Sequence, residues 1–442
     1  MKQPLHVYML ILAVLLAIAT RIILVRSYAP LYGNDSPSYA ELGKMIQETN
    51  FEQYDGRRTP GYPVFMLLLG NNNQLIRLFQ HAFGLLSIFL VFRTLRLVMP
   101  AHYCWPPILL MALSLQFPFY ESIIQTEGLS VLAVLASLYF FSAPSKNPLS
   151  RLSLVGVIAS VGALIRPHLV ILVPIYAVLY ALHNRRSLHR ILKGGVALAL
   201  PFALLVGGWI GFNYYTLSQA TFSTLPKGDL IAHMIHFVSD ADDKYGEVKY
   251  AFVEALAVNQ SQVEMADDNR AGYTAYVGQL LRRDHIKNRL ELADTINAMA
   301  MDLIIKHPFA YLKEVFSAWL RFWRVHIIVY AECFPRDSIL YGLALLLWMP
   351  IKCAWLVANF AFLALCPLFP VIPMSPEKRA LLFNIYGIML CASASQAFTQ
   401  YYDNARFAVP FQPLVAIAVA IMAALVVENL RRPKDKTQPP PP

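Results

Sequence analysis

Apolar residues run through this chain in long blocks separated by short polar stretches. Ten blocks stand out, at 5–25, 74–93, 105–120, 124–142, 150–165, 168–183, 194–215, 339–366, 381–399 and 406–427. A helix that crosses a bilayer needs roughly 20 mostly apolar residues, with about 17–25 tolerated. Most of the blocks meet that length, so the pattern predicts an all-α polytopic membrane protein. The short blocks 105–120 and 150–165 fit a full span least well. The first block is too long for the apolar core of a typical signal peptide and lacks a clear small-residue cleavage site, so it reads as the first membrane helix.

Two long polar stretches interrupt the blocks, at 26–73 and 216–313. Within the second, Tyr273–Ile305 mixes Leu, Ala and Met with charged residues and reads as helical, until His307-Pro308 breaks it. Phe309, Leu312, Phe316, Trp319, Leu320 and Trp323 then recur at helical spacing, with Lys313, Glu314, Arg321 and Arg324 between them. That pattern predicts a helix lying in the membrane interface. The alternative is a true span with its charges facing the bundle. The chain therefore divides into an N-terminal transmembrane module at 1–215, which includes the outer loop 26–73, and an outer helical domain at 216–337. C-terminal transmembrane helices follow at 338–430, then a charged, proline-rich tail at 431–442, expected to be disordered and cytoplasmic.

Composition supports the membrane reading. Hydrophobic residues make up 57% and charged residues only 14%, with a mean hydropathy of +0.48. A soluble protein carries about 25% charged residues. The net charge of +10 is compatible with a nucleic-acid partner until its distribution is considered. Its basic residues cluster in short connections: Arg93/Arg96, Lys146/Arg151, Arg185/Arg186/Arg190/Lys193, Lys378/Arg379 and Arg431/Arg432/Lys434. Basic residues in short loops mark the cytoplasmic side, and alternating the blocks from a cytoplasmic N-terminus places every cluster there. No aromatic-interleaved basic patch for nucleic acid is present. Cys104, Cys333, Cys353, Cys366 and Cys391 are scattered, without a CxxC pair, so neither a disulfide framework nor a zinc site is indicated.

The polar residues with the most chemical content flank the outer ends of the blocks. Asp35 follows the first block closely; Ser36-Pro37 then opens a helix with Tyr39, Leu42 and Ile46 on one stripe. Arg57-Arg58-Thr59-Pro60-Gly61-Tyr62-Pro63 leads into the second block. Short connections thus hold a carboxylate and two arginines at the membrane surface. Asp35 is a candidate general base, because a positioned carboxylate can take the proton of an attacking hydroxyl; on its position alone it could equally cap the helix. Arg57, Arg58, Arg166 and Arg406 fall on the same side of the membrane; Arg57 and Arg58 could merely snorkel to the headgroups, Arg166 could simply end a span beside Pro167, and Arg406 could anchor a helix end. Glu127 either lines the site or belongs to a buried polar network. Tyr39, Tyr62 and His168 are further candidates to line it. His233 and His236, with Asp240, Asp242 and Asp243 nearby, make a divalent metal conceivable, though a solvated polar loop fits them better. Tyr401, Tyr402 and Asp403 read as interfacial aromatics and an ion partner of Arg406. Gln80, His81 and Gln396 read as hydrogen-bonded packing residues.

In layout the chain resembles the GT-C superfamily of membrane glycosyltransferases, and most closely the bacterial relatives of the protein O-mannosyltransferases and the aminoarabinose transferase. Four features carry the resemblance: Asp35-Ser-Pro-Ser-Tyr39-Ala40 with Arg58-Thr-Pro-Gly-Tyr-Pro63; Thr126-Glu127-Gly-Leu129; Ile165-Arg166-Pro167-His168; and Asn404-Ala-Arg406-Phe407-Ala-Val-Pro410. One departure is visible: where these proteins often show Arg-Asn-Tyr, this chain has Phe212-Asn213-Tyr214-Tyr215. The resemblance implies a GT-C-type bundle of about 10–12 transmembrane helices with a small helical domain on the outer face. It also implies a polyprenyl-phosphate-sugar donor, a glycan, lipid or protein acceptor, and inversion at the anomeric carbon, at the outer face of a bacterial inner membrane. Catalysis by Asp35 and phosphate binding by the four arginines would follow. No cofactor is firmly implied, and a divalent metal stays open. Two other classes share parts of this layout. An O-antigen polymerase or ligase would keep its catalytic residues in the large outer loop. A transporter of lipid-linked sugars would place polar groups near the bilayer midplane.

Overall fold

The computed structural model describes residues 5–224, 229–263, 289–335 and 338–431. Among these, ordered backbone is helical apart from one isolated parallel bridge between Leu31 and Ile123. The α-helices run α1 (Leu5–Ser27), α2 (Ser36–Glu48), α3 (Gly61–Leu68), α4 (Asn73–Leu95), α5 (Trp105–Leu113), α6 (Gln116–Glu121), α7 (Glu127–Ser142), α8 (Pro148–Ile165), α9 (Leu172–His183) and α10 (Leu188–Leu217). They continue as α11 (Ile231–Met234), α12 (Gly246–Val263), α13 (Arg289–Lys306), α14 (Pro308–Phe322), α15 (Leu340–Leu365), α16 (Pro376–Thr399), α17 (Asn404–Ala408) and α18 (Gln412–Arg431). Seven described helical segments are long and apolar enough to cross a membrane. The blocks at 124–142 and 168–183 form shorter apolar helices. The predicted all-α polytopic architecture is thus the observed one.

Burial separates the core of the bundle from its rim. The segment Asn404–Glu428 is 78% buried, whereas the spans of α1, α10 and α15 are 22%, 11% and 11% buried. On α10, Leu188, Leu192, Val196, Leu200 and Leu204 form an exposed apolar stripe, a surface suited to lipid rather than water. Polar side chains tie the inner helices together. The Trp355 indole donates to Ser114 Oγ at 2.6 Å, Tyr176 to Ser137 Oγ at 2.9 Å, and Asn359 to the Trp323 carbonyl at 2.8 Å. Between membrane helices each such bond contributes on the order of 1 kcal/mol.

The block at 105–120 departs from the expected single span and is broken into α5 and α6 at Ser114–Leu115. A continuous helix would need the amide of residue 118 to reach the Ser114 carbonyl, and Pro118 has no amide proton. The Phe117 amide takes that carbonyl instead, and Ser114 Oγ bonds back to Leu110. After α6, residues 122–126 form a non-helical connection of turn and bends around a bridge at Ile123. They pair with the stretch after α1 through Leu31 N to the Ser122 carbonyl and Ile124 N to the Leu31 carbonyl, both at 3.0 Å. A deeply buried ion cluster sits beneath this segment. Glu121 accepts from Arg21 Nη2 at 2.6 Å and Nε at 2.8 Å, and pairs with His81 Nδ1 at 2.8 Å. A Cβ at Gly84 would lie 1.9 Å from the Glu121 carboxylate, so only glycine leaves room there for the acid.

The polar stretch after α10 contributes its own small core, built from Ile231, Met234, Ile235, Val238, Phe252, Leu292, Ile296, Met299 and Leu303. The predicted helix at 273–305 appears as α13 from Arg289, and its earlier part lies outside the described residues. The break at His307-Pro308 falls where predicted. On α14, Phe309, Leu312, Phe316 and Leu320 are exposed, whereas Trp323, just past its end, turns inward and stacks on Phe362 at 5.6 Å.

Candidate active site

Five charged side chains from five separate stretches of chain meet at the end of the bundle where α1 finishes. Asp35 Oδ1 accepts from Arg58 Nη2 at 2.6 Å, and Oδ2 from Arg406 Nη2 at 2.8 Å. Arg406 Nε also bonds Glu127 Oε1, which takes a further ion pair from Arg166 Nη1 at 2.7 Å. The result is a chain, Arg58–Asp35–Arg406–Glu127–Arg166, with one more positive than negative charge. The Glu127 end is the more deeply buried: the side chains of Asp35, Arg58 and Arg406 are 26%, 13% and 14% exposed, those of Arg166 and Glu127 only 6% and 0%.

Local structure explains each placement. Asp35 occupies the N-cap position of α2, yet its side chain makes no capping bond. Charge-assisted bonds to two guanidiniums, at about 1.5–3 kcal/mol each, outweigh one cap at about 1 kcal/mol. Ser36 Oγ instead ties the start of α2 to the Ile124 carbonyl at 2.7 Å. Arg58 is fixed by donating Nε to Ser38 Oγ at 2.7 Å and by lying 4.7 Å over the Tyr39 ring. Its loop closes against the bundle at Gly61, where a Cβ would come within 2.6 Å of the Leu164 backbone, just before Arg166. The Asn404 amide donates to the Ala318, Gln400 and Tyr401 carbonyls and so sets the start of the short helix that carries Arg406. Arg166 donates Nε to His168 Nδ1 at 3.1 Å and lies 4.9 Å over the Phe407 ring.

The electrostatics suit an anion. Burial alone would push the Asp35 carboxyl pKa up, but the adjacent Arg58 and Arg406 guanidiniums more than reverse this and hold it well below the usual carboxylate range. One oxygen of Glu127, Oε2, and His168 Nε2 are buried without a hydrogen-bond partner. Both carboxylates already face guanidiniums, so the donor set fits an incoming phosphate better than a divalent cation.

Of the residues singled out in the sequence, Asp35, Arg58, Arg166, Arg406 and Glu127 come together, with Tyr39 and His168 against them. Tyr62 lies one layer behind, fully buried, edge-on to Tyr39 at 5.0 Å and bonded to Gln80. Arg57 is exposed and does not join this chain of charges; its charge acts on Asp229. Gln80 and His81 are hydrogen-bonded packing residues. Gln396 Nε2, expected to be the same, has no partner. The His233 and His236 pair separates: His233 is buried against the Ala397 carbonyl and the rings of Tyr311 and Tyr401, and His236 is exposed. Asp242 pairs with Lys306, Asp243 with Lys249, and Asp240 with His307. Among the described residues no group of three His, Cys, Asp or Glu side chains is placed to hold a metal ion.

Several residues not named there as site candidates also shape the site. Gln125 Oε1 accepts from Arg406 at 3.1 Å and Thr126 Oγ1 from Arg166 at 3.1 Å. Asn213, in the stretch that lacks the arginine, accepts from Tyr54, whose hydroxyl also reaches the Arg58 carbonyl; it braces the arginine loop rather than a ligand. Asp229 accepts from Tyr402 at 2.7 Å and from Gln400. Burial raises its pKa, and those bonds together with the charges of Arg57 and Arg58 offset part of the rise. Only its position in space, not its neighbours in sequence, links Asp229 to the site.

A family model described as dolichyl-phosphate-mannose-protein mannosyltransferase matches residues 63–209. No curated protein matches the sequence. Among solved structures the chain is similar to the oligosaccharyltransferase of Archaeoglobus fulgidus. In its apo form that enzyme is 15% identical with a TM-score of 0.50, and the match covers 97% of this chain and 51% of that one. With a tethered acceptor peptide containing the NVT sequon, the figures are 14%, 0.52, 97% and 50%. The chain spans about half the length of that enzyme, and at such identity the likeness is one of fold. Together these matches bear out the resemblance to the GT-C membrane glycosyltransferases.

Proposed function

We propose that this chain is an inverting glycosyltransferase that moves a sugar from a polyprenyl-phosphate donor to an acceptor hydroxyl, at the outer face of its membrane. The observation that carries this reading is that Arg58 and Arg406 bind the same carboxylate, so candidate base and candidate phosphate ligands adjoin. The matched family's own donor, dolichyl-phosphate-mannose, is of this chemical kind. In the proposed step the acceptor oxygen bonds to the anomeric carbon as the bond from that carbon to the phosphate oxygen breaks. The hydroxyl proton passes to Asp35. The electron pair leaves with the lipid phosphate, which gains a negative charge that Arg58 and Arg406 meet. A single displacement of this kind inverts the anomeric carbon. Arg166, held by Glu127, keeps that carboxylate from drawing Arg406 away. The bundle gives the polyprenyl tail apolar surface to lie on. The acceptor is a glycan, lipid or protein.

The test is to supply purified protein with a panel of polyprenyl-phosphate sugars and an acceptor extract, and to measure release of free polyprenyl phosphate. Release with a lipid monophosphate sugar, abolished in Asp35→Asn, supports the reading. Transfer only from lipid-diphosphate glycans would point to a polymerase or ligase, and counterflow without covalent transfer to a transporter.

A further inference from the structure

At the far end of the bundle the structure opens a cavity of about 410 Å³ among the ends of α4, α7 and α9 and the starts of α8 and α16. Its apolar walls include Leu97, Val98, Phe141, Leu152 and Leu381. Its polar lining includes Arg151, Tyr180, His183 and Asn384. Roughly 22 Å of helix α8 separates Arg151 from Arg166, at 1.5 Å per residue, so this cavity is distinct from the site at Asp35.

We propose that this cavity binds the phosphate group of an anionic amphiphile, with Arg151 as its principal ligand. Arg151 Nε is buried and has no hydrogen-bond partner. The rest of the side chain is partly exposed and lines the cavity, so its guanidinium can meet an anion there. Ser142 accepts from the Asn384 amide at 3.3 Å, which leaves its own hydroxyl proton free to donate into the cavity. His183 Nε2 pairs with the Asn384 oxygen at 2.8 Å and orders that wall. One acidic residue, Glu377, lines the rim. It is exposed and forms no ion pair with Arg151. The first turns of α8 and α16, where amides carry partial positive charge, open onto the same space. Lys146, Arg185 and Arg186 lie in the adjoining connections. Cationic head ligands above apolar walls match a phospholipid, whose headgroup meets Arg151 while its chains cover the leucines.

The test uses the full chain in two arms. In nanodiscs of neutral lipid doped with phosphatidylglycerol, native mass spectrometry counts retained phosphatidylglycerol. In detergent, inorganic phosphate is titrated against melting temperature. Retention by the natural protein, reduced at least about tenfold in Arg151→Gln, is the expected result and corresponds to one charge-assisted hydrogen bond. Melting protection by inorganic phosphate that vanishes in Arg151→Gln would place a soluble phosphate in the cavity instead. Equal retention in both proteins with no effect of phosphate overturns the proposal. If Arg151→Gln does not fold, Arg151→Lys, which keeps the charge and loses the buried Nε donor, is read the same way.

Discussion

Replacing Asp35 by asparagine should slow transfer and, at the same time, tighten binding of the lipid phosphate product. The carboxylate holds one guanidinium on each oxygen, Arg58 at 2.6 Å and Arg406 at 2.8 Å. A phosphate that needs those guanidiniums must displace the carboxylate from them. Asparagine keeps one acceptor oxygen and loses the charge, so about one charged hydrogen bond ceases to compete. The three side chains are 13–26% exposed, which discounts that bond to about 1 kcal/mol. Product affinity should therefore rise roughly fivefold. Loss of the proton acceptor should lower kcat by about 10²–10⁴-fold. The assay pairs release of polyprenyl phosphate with equilibrium binding of polyprenyl phosphate to both proteins, after circular dichroism has shown that both are folded. A folded Asp35→Asn enzyme with normal kcat would refute the assignment of the base. A tenfold loss of product binding would refute the competition and make Asp35 a residue that positions the arginines.

Glu127→Gln leaves Arg166 and Arg406 without their buried counter-charge, and breaking such a pair costs about 3–5 kcal/mol; a large drop in melting temperature is expected, and an unchanged one would mean water already reaches Glu127. The pH profile follows from Asp35. Its folded pKa is depressed, so its ion pairs contribute stability above the unfolded value of about 3.9 and lose it as pH falls through the lower folded value. For the free enzyme, kcat/KM should then show no acid limb from Asp35 between about pH 5 and 7. Once donor phosphate engages the arginines the carboxyl pKa should rise, so the acid limb of kcat should lie at higher pH than that of kcat/KM; coincident limbs would argue against the exchange. Gly61→Val would force the arginine loop off the Leu164 backbone. A loss of roughly 1–3 kcal/mol, seen as a lower melting temperature with reduced donor affinity, is expected.

Much of this arrangement was legible because charged residues are so rare in the chain. Glu127, Arg166 and Arg406 each stand at or near the end of an apolar block, and Asp35 soon after the first, where a polar group is conspicuous. Direction was harder to read than location. Arg57 and Arg58 are chemically equivalent in sequence, and only the bend of the loop, braced by Tyr54 and Asn213, decides which one meets Asp35. Arg21 and Glu121 were lost for a different reason: each is a single charge inside or beside an apolar stretch, and averaging over about 20 residues conceals it. The break after Ser114 is encoded by Pro118, four residues on, but a hydropathy pattern does not register a missing amide. Asp229 reaches the site through the polar stretch after α10, a tertiary contact that no local spacing announces.

The two ion clusters are better understood together than singly. The segment 122–126 carries Gln125 and Thr126 and leads directly to Glu127, so its position sets where Arg406 and Arg166 can find their partners. It is non-helical chain within a helical bundle, and its polar backbone must be satisfied locally. From one side Leu31 pairs with it, and from another Ser36 takes the Ile124 carbonyl. The amide of Gln80 binds the carbonyls of Glu121 and Ile123, at 2.8 Å each. At its start, Arg21 and His81 clamp the Glu121 side chain, which joins α1 and α4 to the end of α6. The buried cluster is thus the footing of the more exposed one. A carboxylate that must exchange partners during a reaction needs freedom, whereas the groups around it need fixed positions. The gradient from Asp35 at 26% exposure to Glu127 at 0%, with Arg21 and Glu121 at 5% and 2% beneath, gives mobility to the outermost acid and rigidity to the rest.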